Sequence, residues 1–184
     1  MTCIVGLIDN GTVWMGGDSA VIRSRQLRRC VEPKVFRNGH FLFGFTTSFR
    51  MGQLLAHVFK PPAPPSGGRL ERFLASTFID TVRDCLSKGG FAKKTDETES
   101  GGEFLLGIRS RLFCVYSDYT VSESPEEFNA IGCGAEFAMG SLFATAKMPA
   151  RRRVFTALRA AEHLCTDVIG PFKIRHLKPE RRPQ

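Results

Sequence analysis

A chain of 184 residues and 20.4 kDa is one domain's worth of polypeptide, which excludes a multidomain machine. With 42% hydrophobic and 24% charged residues it falls within ordinary globular composition, so wholesale disorder and collagen-like repetition are excluded and a real core is affordable. The formal charge of +8 invites a nucleic-acid reading. However, the excess lies in separate groups (Arg23, Arg25, Arg28, Arg29; Arg151, Arg152, Arg153; Lys178, Arg181, Arg182) with no nucleic-acid motif, so no nucleic-acid partner is expected.

The chain opens as two β-hairpins. Residues 3 to 8 are an apolar run, Asn10-Gly11 supplies a turn, and residues 12 to 15 resume the strand before Gly16-Gly17-Asp18. The pattern repeats with residues 34 to 37, Asn38-Gly39 and residues 40 to 45, because Asn-Gly suits a type I′ turn that needs two positive φ angles. Ser48 predicts the cap of a helix over residues 49 to 59, and Pro61-Pro62-Ala63-Pro64-Pro65 breaks it. Leu70, Phe73, Leu74, Phe78, Ile79, Val82 and Leu86 mark a second helix over residues 69 to 88, closed by Gly89-Gly90. The polar residues 92 to 103 predict a mobile loop.

A third hairpin joins residues 104 to 108 and 112 to 116 near Ser110. A strand at 119 to 121, the segment 130 to 134, helices at 135 to 146 and 150 to 167, and a strand at 172 to 174 complete the order. Hairpins imply antiparallel sheets, and paired helices imply layers that cover sheet faces. A single domain over residues 1 to 177 and a basic, flexible tail from 178 to 184 are expected.

The six cysteines form no CxxC pair and the four histidines are scattered, so zinc-site spacing is absent and most thiols read as small core hydrophobes. No window approaches the roughly 18 consecutive apolar residues of a membrane helix, and no export signal is seen. A cytoplasmic address without membrane association is therefore expected.

Three residues carry the chemistry. Thr2 follows the initiator methionine, so removal of Met1 leaves one residue holding both a hydroxyl nucleophile and an α-amine base. The amine's ordinary pKa, about 7.7–8.0, suits neutral pH. Lys34 near the Thr2 hydroxyl would favour its deprotonated form, and Asp18 would hold that lysine charged and in place.

With Thr2-Cys3-Ile4-Val5-Gly6, Gly16-Gly17-Asp18, Lys34-Val35 and Ala130-Ile131-Gly132-Cys133-Gly134, the sequence resembles the proteasome β-subunit-like N-terminal-nucleophile hydrolases over residues 2 to about 174. Within that family it looks closest to the bacterial two-component, proteasome-like threonine peptidase. The resemblance implies an α+β fold, the four-layer αββα sandwich. It also implies Thr2 as nucleophile and base, tuned by Lys34 and Asp18, with no cofactor and no metal. Thr47 stands where the family has a glycine whose backbone N–H serves the oxyanion hole. Phe45 falls in the specificity pocket, and Val21, Ile22 and Phe49 are expected along a bound peptide.

Cys133 replaces a serine near the threonine amine, and Asp167 lies one place out of register with the family's late aspartate. The implied partners are peptide or unfolded-protein substrate and further copies of the chain in a homo-oligomeric ring, and the family admits an ATP-dependent unfoldase. The same fold also serves small-molecule amidases and catalytically silent scaffold subunits.

Overall fold

Asn10 and Gly11 both have positive φ, 46° and 71°, as a two-residue type I′ turn requires. They close β1 (Cys3–Asp9) against β2 (Thr12–Gly17). The structure, a computed structural model, describes residues 2–23, 26–95 and 98–179. β3 (Ala20–Arg23) and β4 (Gln26–Arg29) form a small separate hairpin. β5 (Val35–Asn38), β6 (Phe41–Phe45), β9 (Phe104–Ile108), β10 (Arg111–Val115) and β11 (Val121–Glu123) build a sheet in the order β11-β10-β9-β6-β5. β12 (Phe128–Gly132) and β13 (Lys173–Leu177) flank the first hairpin in the order β12-β1-β2-β13. All the pairings are antiparallel.

Strand periodicity assigns the layers. In β1, Cys3, Val5 and Leu7 pack beneath α4 (Ala135–Ala144) and α5 (Ala150–Leu164), whereas Ile4 points into the space between the sheets with Met15, Val35, Leu42 and Leu105. In β6, Phe41, Phe43 and Phe45 face the other helical layer. That layer comprises α1 (Phe49–Gln53), α2 (Leu70–Phe73) and α3 (Ile79–Lys88), with π-helical stretches at Leu54–Val58 and Leu74–Phe78. The result is the expected α+β four-layer αββα sandwich. Glycines allow the two sheets to close: a Cβ at Gly44 would stand 2.5 Å from both Ile4 and Met15 side-chain atoms.

Several expectations are corrected. The second hairpin turns on Gly39-His40, not Asn38-Gly39: Asn38 pairs with Phe41, and only Gly39 has positive φ, 58°. The Asn38 amide is engaged instead with the end of the first π-helical stretch, donating to the carbonyls of Leu55 and Phe59, each at 2.9 Å.

Residues 92 to 103 are not one loop, because β7 (Lys93–Thr95) and β8 (Thr98–Ser100) pair as a hairpin. Thr95 and Thr98 are register partners in it, and Glu99 ties it to Arg83 of α3 at 2.6 Å. The β3–β4 hairpin itself was not foreseen. The strand expected at 119 begins at Val121, after a turn in which Tyr119 has φ of 67°. The last helix ends at Leu164. Of the six thiols only Cys3 and Cys114 are buried, and Cys133 is exposed. Met1, Arg25 and residues 180–184 of the expected tail lie outside the described residues.

Candidate active site

Gly16 lies so close beneath α5, and Gly17 so close to the Ile4 side chain of β1, that side chains there would collide. A Cβ at Gly16 would meet Val154 at 2.5 Å, and one at Gly17 would meet Ile4 at 2.8 Å. The next residue, Asp18, is thereby delivered under the start of β1. Its Oδ1 accepts from the Cys3 backbone N–H at 3.0 Å and from Lys34 Nζ at 2.9 Å, and its Oδ2 accepts from the Ala20 N–H at 2.7 Å.

Lys34 arrives from the residue before β5 and is 1% exposed. Its Nζ also donates to Thr2 Oγ1 at 2.9 Å and sits 5.6 Å over the Phe49 ring. Thr2, Asp18 and Lys34 are all buried, so the charge is nearly desolvated. Burial lowers the Lys34 ammonium from its ordinary pKa, and the attraction and hydrogen bond of Asp18 work against that shift. The arrangement holds a cation against a hydroxyl in a low-dielectric setting, which favours the alkoxide.

The Thr2 backbone is gripped from the far strand. Thr2 N–H donates to Cys133 Sγ and the Cys133 thiol donates to Thr2 O, both at 3.3 Å. Gly132, φ 92°, makes this approach possible, since a Cβ there would lie 2.2 Å from Thr2 O. Although the Cys133 residue is exposed, partial desolvation of its thiol beside Thr2 and Cys165 raises its pKa above the usual value.

Thr2 opens on a cleft of about 90 Å³ lined by Ile22, Phe45, Thr46, Thr47, Ser48 and Phe49. Thr47 has φ of 67°, the left-handed region that a β-branched residue enters at a cost of about 1–2 kcal/mol. A tight turn holds it there, with Ser48 N–H donating to Thr46 O at 2.7 Å. Its own N–H makes no hydrogen bond among the described residues, leaving a backbone donor beside the cleft.

Among the residues singled out in the sequence, Thr2, Asp18 and Lys34 form one hydrogen-bonded unit, and Cys133 touches Thr2. Ile22, Phe45, Thr47 and Phe49 line the cleft. Val21 does not, because alternation along β3 separates it from Ile22. Asp167 lies beside Cys133 and Cys165, their ligating atoms all within 4.8 Å of one another. Sequence reasoning missed Thr46, Ser48, Cys165 and Ser19. The Ser19 hydroxyl bonds to the Pro171 carbonyl and its N–H to Ile169 O at 2.9 Å, tying the Asp18 turn to the segment after α5.

Among the described residues no helix is long and apolar enough to cross a membrane. No family model matches the sequence, and no curated protein matches it. Solved structures do match. BPH of Thiobacillus denitrificans, solved in complex with epoxomicin, superposes with a TM-score of 0.80 at 18% identity over 98% of this chain and 100% of that one. HslV of Trypanosoma brucei gives 0.67 at 15% identity, covering 96% and 99%. Anbu, an ancestral beta-subunit from Yersinia bercovieri, gives 0.68 at 13% identity, covering 96% and 82%. The order of strands and helices, the buried Thr2, Lys34 and Asp18, and these superpositions together give the chain the fold of the proteasome-like N-terminal-nucleophile proteins.

Proposed function

We propose that the protein is a threonine peptidase that uses Thr2, once Met1 is removed, as an N-terminal nucleophile. The observation that carries this reading is the buried Lys34 ammonium at 2.9 Å from both Thr2 Oγ1 and Asp18 Oδ1. In the mechanism, Thr2 Oγ1 attacks the scissile carbonyl carbon and its proton passes to the α-amine, directly or through water. Lys34 stabilises the developing alkoxide, and Asp18 keeps Lys34 charged and aimed. The Thr47 N–H takes the oxyanion of the tetrahedral intermediate. The amine then returns its proton to the leaving nitrogen as the C–N bond breaks, leaving an ester on Thr2. Water, deprotonated by the same amine, cleaves that ester and regenerates the site.

The chain needs no resident cofactor for this cycle. Phe143, Leu164 and Phe155 on the outer faces of α4 and α5 remain exposed and apolar, which supports assembly with further copies through that layer. In such an assembly unfolded polypeptide reaches the cleft as the substrate. Turnover of fluorogenic peptides by wild type, by Thr2→Ser and by Thr2→Ala tests the mechanism. Activity is expected in the first two and absent in a folded Thr2→Ala chain; hydrolysis at wild-type rate by Thr2→Ala would refute it.

A further inference from the structure

Two turns meet beside Thr2 and bring together three ligating atoms from distant parts of the sequence. Cys133 follows β12, Cys165 caps the end of α5, and Asp167 lies two residues beyond it. Their two Sγ atoms and a carboxylate oxygen all lie within 4.8 Å of one another. A tetrahedral zinc ion with Zn–S of about 2.3 Å and Zn–O of about 2.0 Å spaces its ligand atoms roughly 3.5–3.8 Å apart. Closing the cluster on an ion therefore asks for movements of about an ångström or less, within the reach of side-chain rotation.

The backbone under the cluster is fixed independently of any ion. A Cβ at Gly134 would stand 2.8 Å from Ala161, 3.0 Å from Cys3 and 3.0 Å from Val168, so the two turns are packed against each other and against β1. The second turn is closed by Val168 N–H donating to Cys165 O at 3.2 Å. The Asp167 carboxylate has no hydrogen bond or ion pair among the described residues, and Cys133 is exposed, so the cluster has both an unengaged oxygen donor and an entry path.

We propose that Cys133, Cys165 and Asp167 form a zinc-binding site whose remaining coordination position opens toward Thr2. Two thiolates with one carboxylate suit zinc, whereas magnesium and calcium prefer oxygen ligands throughout. Binding releases the two thiol protons to solvent and forms two Zn–S bonds and one Zn–O bond, with no change of oxidation state. Cys133 Sγ is 3.3 Å from the Thr2 nitrogen, the spacing of neighbouring vertices in such a tetrahedron. In a chain without Met1 that nitrogen is the fourth ligand. Zinc then occupies the lone pair that serves as base in the proposed peptidase, and acts as a reversible off-switch. This last consequence rests on the peptidase reading; the site itself does not.

The test is a cobalt(II) and zinc titration of the full chain kept reduced with a non-thiol reductant, with cobalt reporting ligand type through its absorption. The expected result is one cobalt per chain, with thiolate charge-transfer and tetrahedral ligand-field bands that zinc displaces and magnesium does not. Cys165→Ser and, separately, Asp167→Asn should each weaken binding at least tenfold while the circular dichroism of the fold is unchanged. Equal cobalt binding by the folded variants would overturn the site. So would the absence of thiolate bands in the reduced wild type. None of these readouts needs an active enzyme. In a preparation that hydrolyses peptides, zinc should inhibit wild type and spare Cys165→Ser.

Discussion

The ring of Phe45 abuts Gly52, so closely that a Cβ at position 52 would stand 2.2 Å from its Cζ. Phe45 thus ends the small Thr2 cleft and separates it from a mainly apolar cavity of about 200 Å³ lined by Phe36, Gly52, Ala56 and His57. Under the proposed function this wall limits the acyl-side residue to a small side chain. Phe45→Ala should join the two spaces and raise kcat/KM for peptides with a bulky residue before the scissile bond by about tenfold relative to small ones. It should also cost about 3–5 kcal/mol of stability, since Phe45 is buried. Peptide-library profiling of the two proteins decides; an unchanged preference would remove Phe45 from the specificity wall.

The Lys34–Asp18 pair predicts opposite behaviour for its two ends. Asp18→Asn leaves an ammonium buried without its counter-charge and should lose about 3–5 kcal/mol, read from urea unfolding. Because Lys34 has a lower pKa folded than unfolded, the unfolded chain binds more protons between those two values. Stability should therefore rise with pH across that window, and Lys34→Met should flatten the rise. Asp18→Asn removes the attraction that opposes the shift, so any residual activity should fall off at a lower alkaline pH than in wild type. A pH profile that does not move would show that Asp18 does not keep Lys34 charged.

Thr47 holds its positive φ at the expense of stability, and what the proposed oxyanion hole needs from it is only a backbone N–H. Thr47→Gly removes the left-handed strain of about 1–2 kcal/mol, adds unfolded-state entropy of about 0.5–1 kcal/mol, and loses the hydrogen bond that Thr47 Oγ1 accepts from the Glu103 N–H at 3.4 Å. The expected net is a stability within about 1 kcal/mol of wild type, with kcat equal to or above wild type. Thermal unfolding and peptide turnover measure both; a large loss of kcat would mean that the threonine side chain itself takes part.

What the sequence discloses depends on how local each determinant is. Asn10-Gly11 dictates its hairpin because both turn residues supply positive φ themselves. Asn38-Gly39 carries the same signal, yet the turn moves on by one because the Asn38 amide is recruited by carbonyls of the neighbouring π-helical stretch. The grouping of Thr2, Asp18 and Lys34 was legible through the residue types and their place at strand ends. Gly132 enters the sequence reading only as part of the Ala130–Gly134 segment, and the reason for it, contact with Thr2 O across the β1–β12 pairing that forbids any side chain there, is not local. Cys165 and Asp167 were illegible as partners of Cys133 because the helix between them folds back before the thiols meet. The basic β3–β4 hairpin, with every residue of β4 exposed, lacks the apolar alternation that marks a strand.

Intact-mass and peptide-mapping analysis of the protein quenched during turnover of an activated ester tests the central claim most directly. The proposed function predicts a chain one methionine lighter than its reading frame, carrying a single acyl group on Thr2. A chain that retains Met1 while turning over the ester, or an acyl group found on another residue, would contradict it.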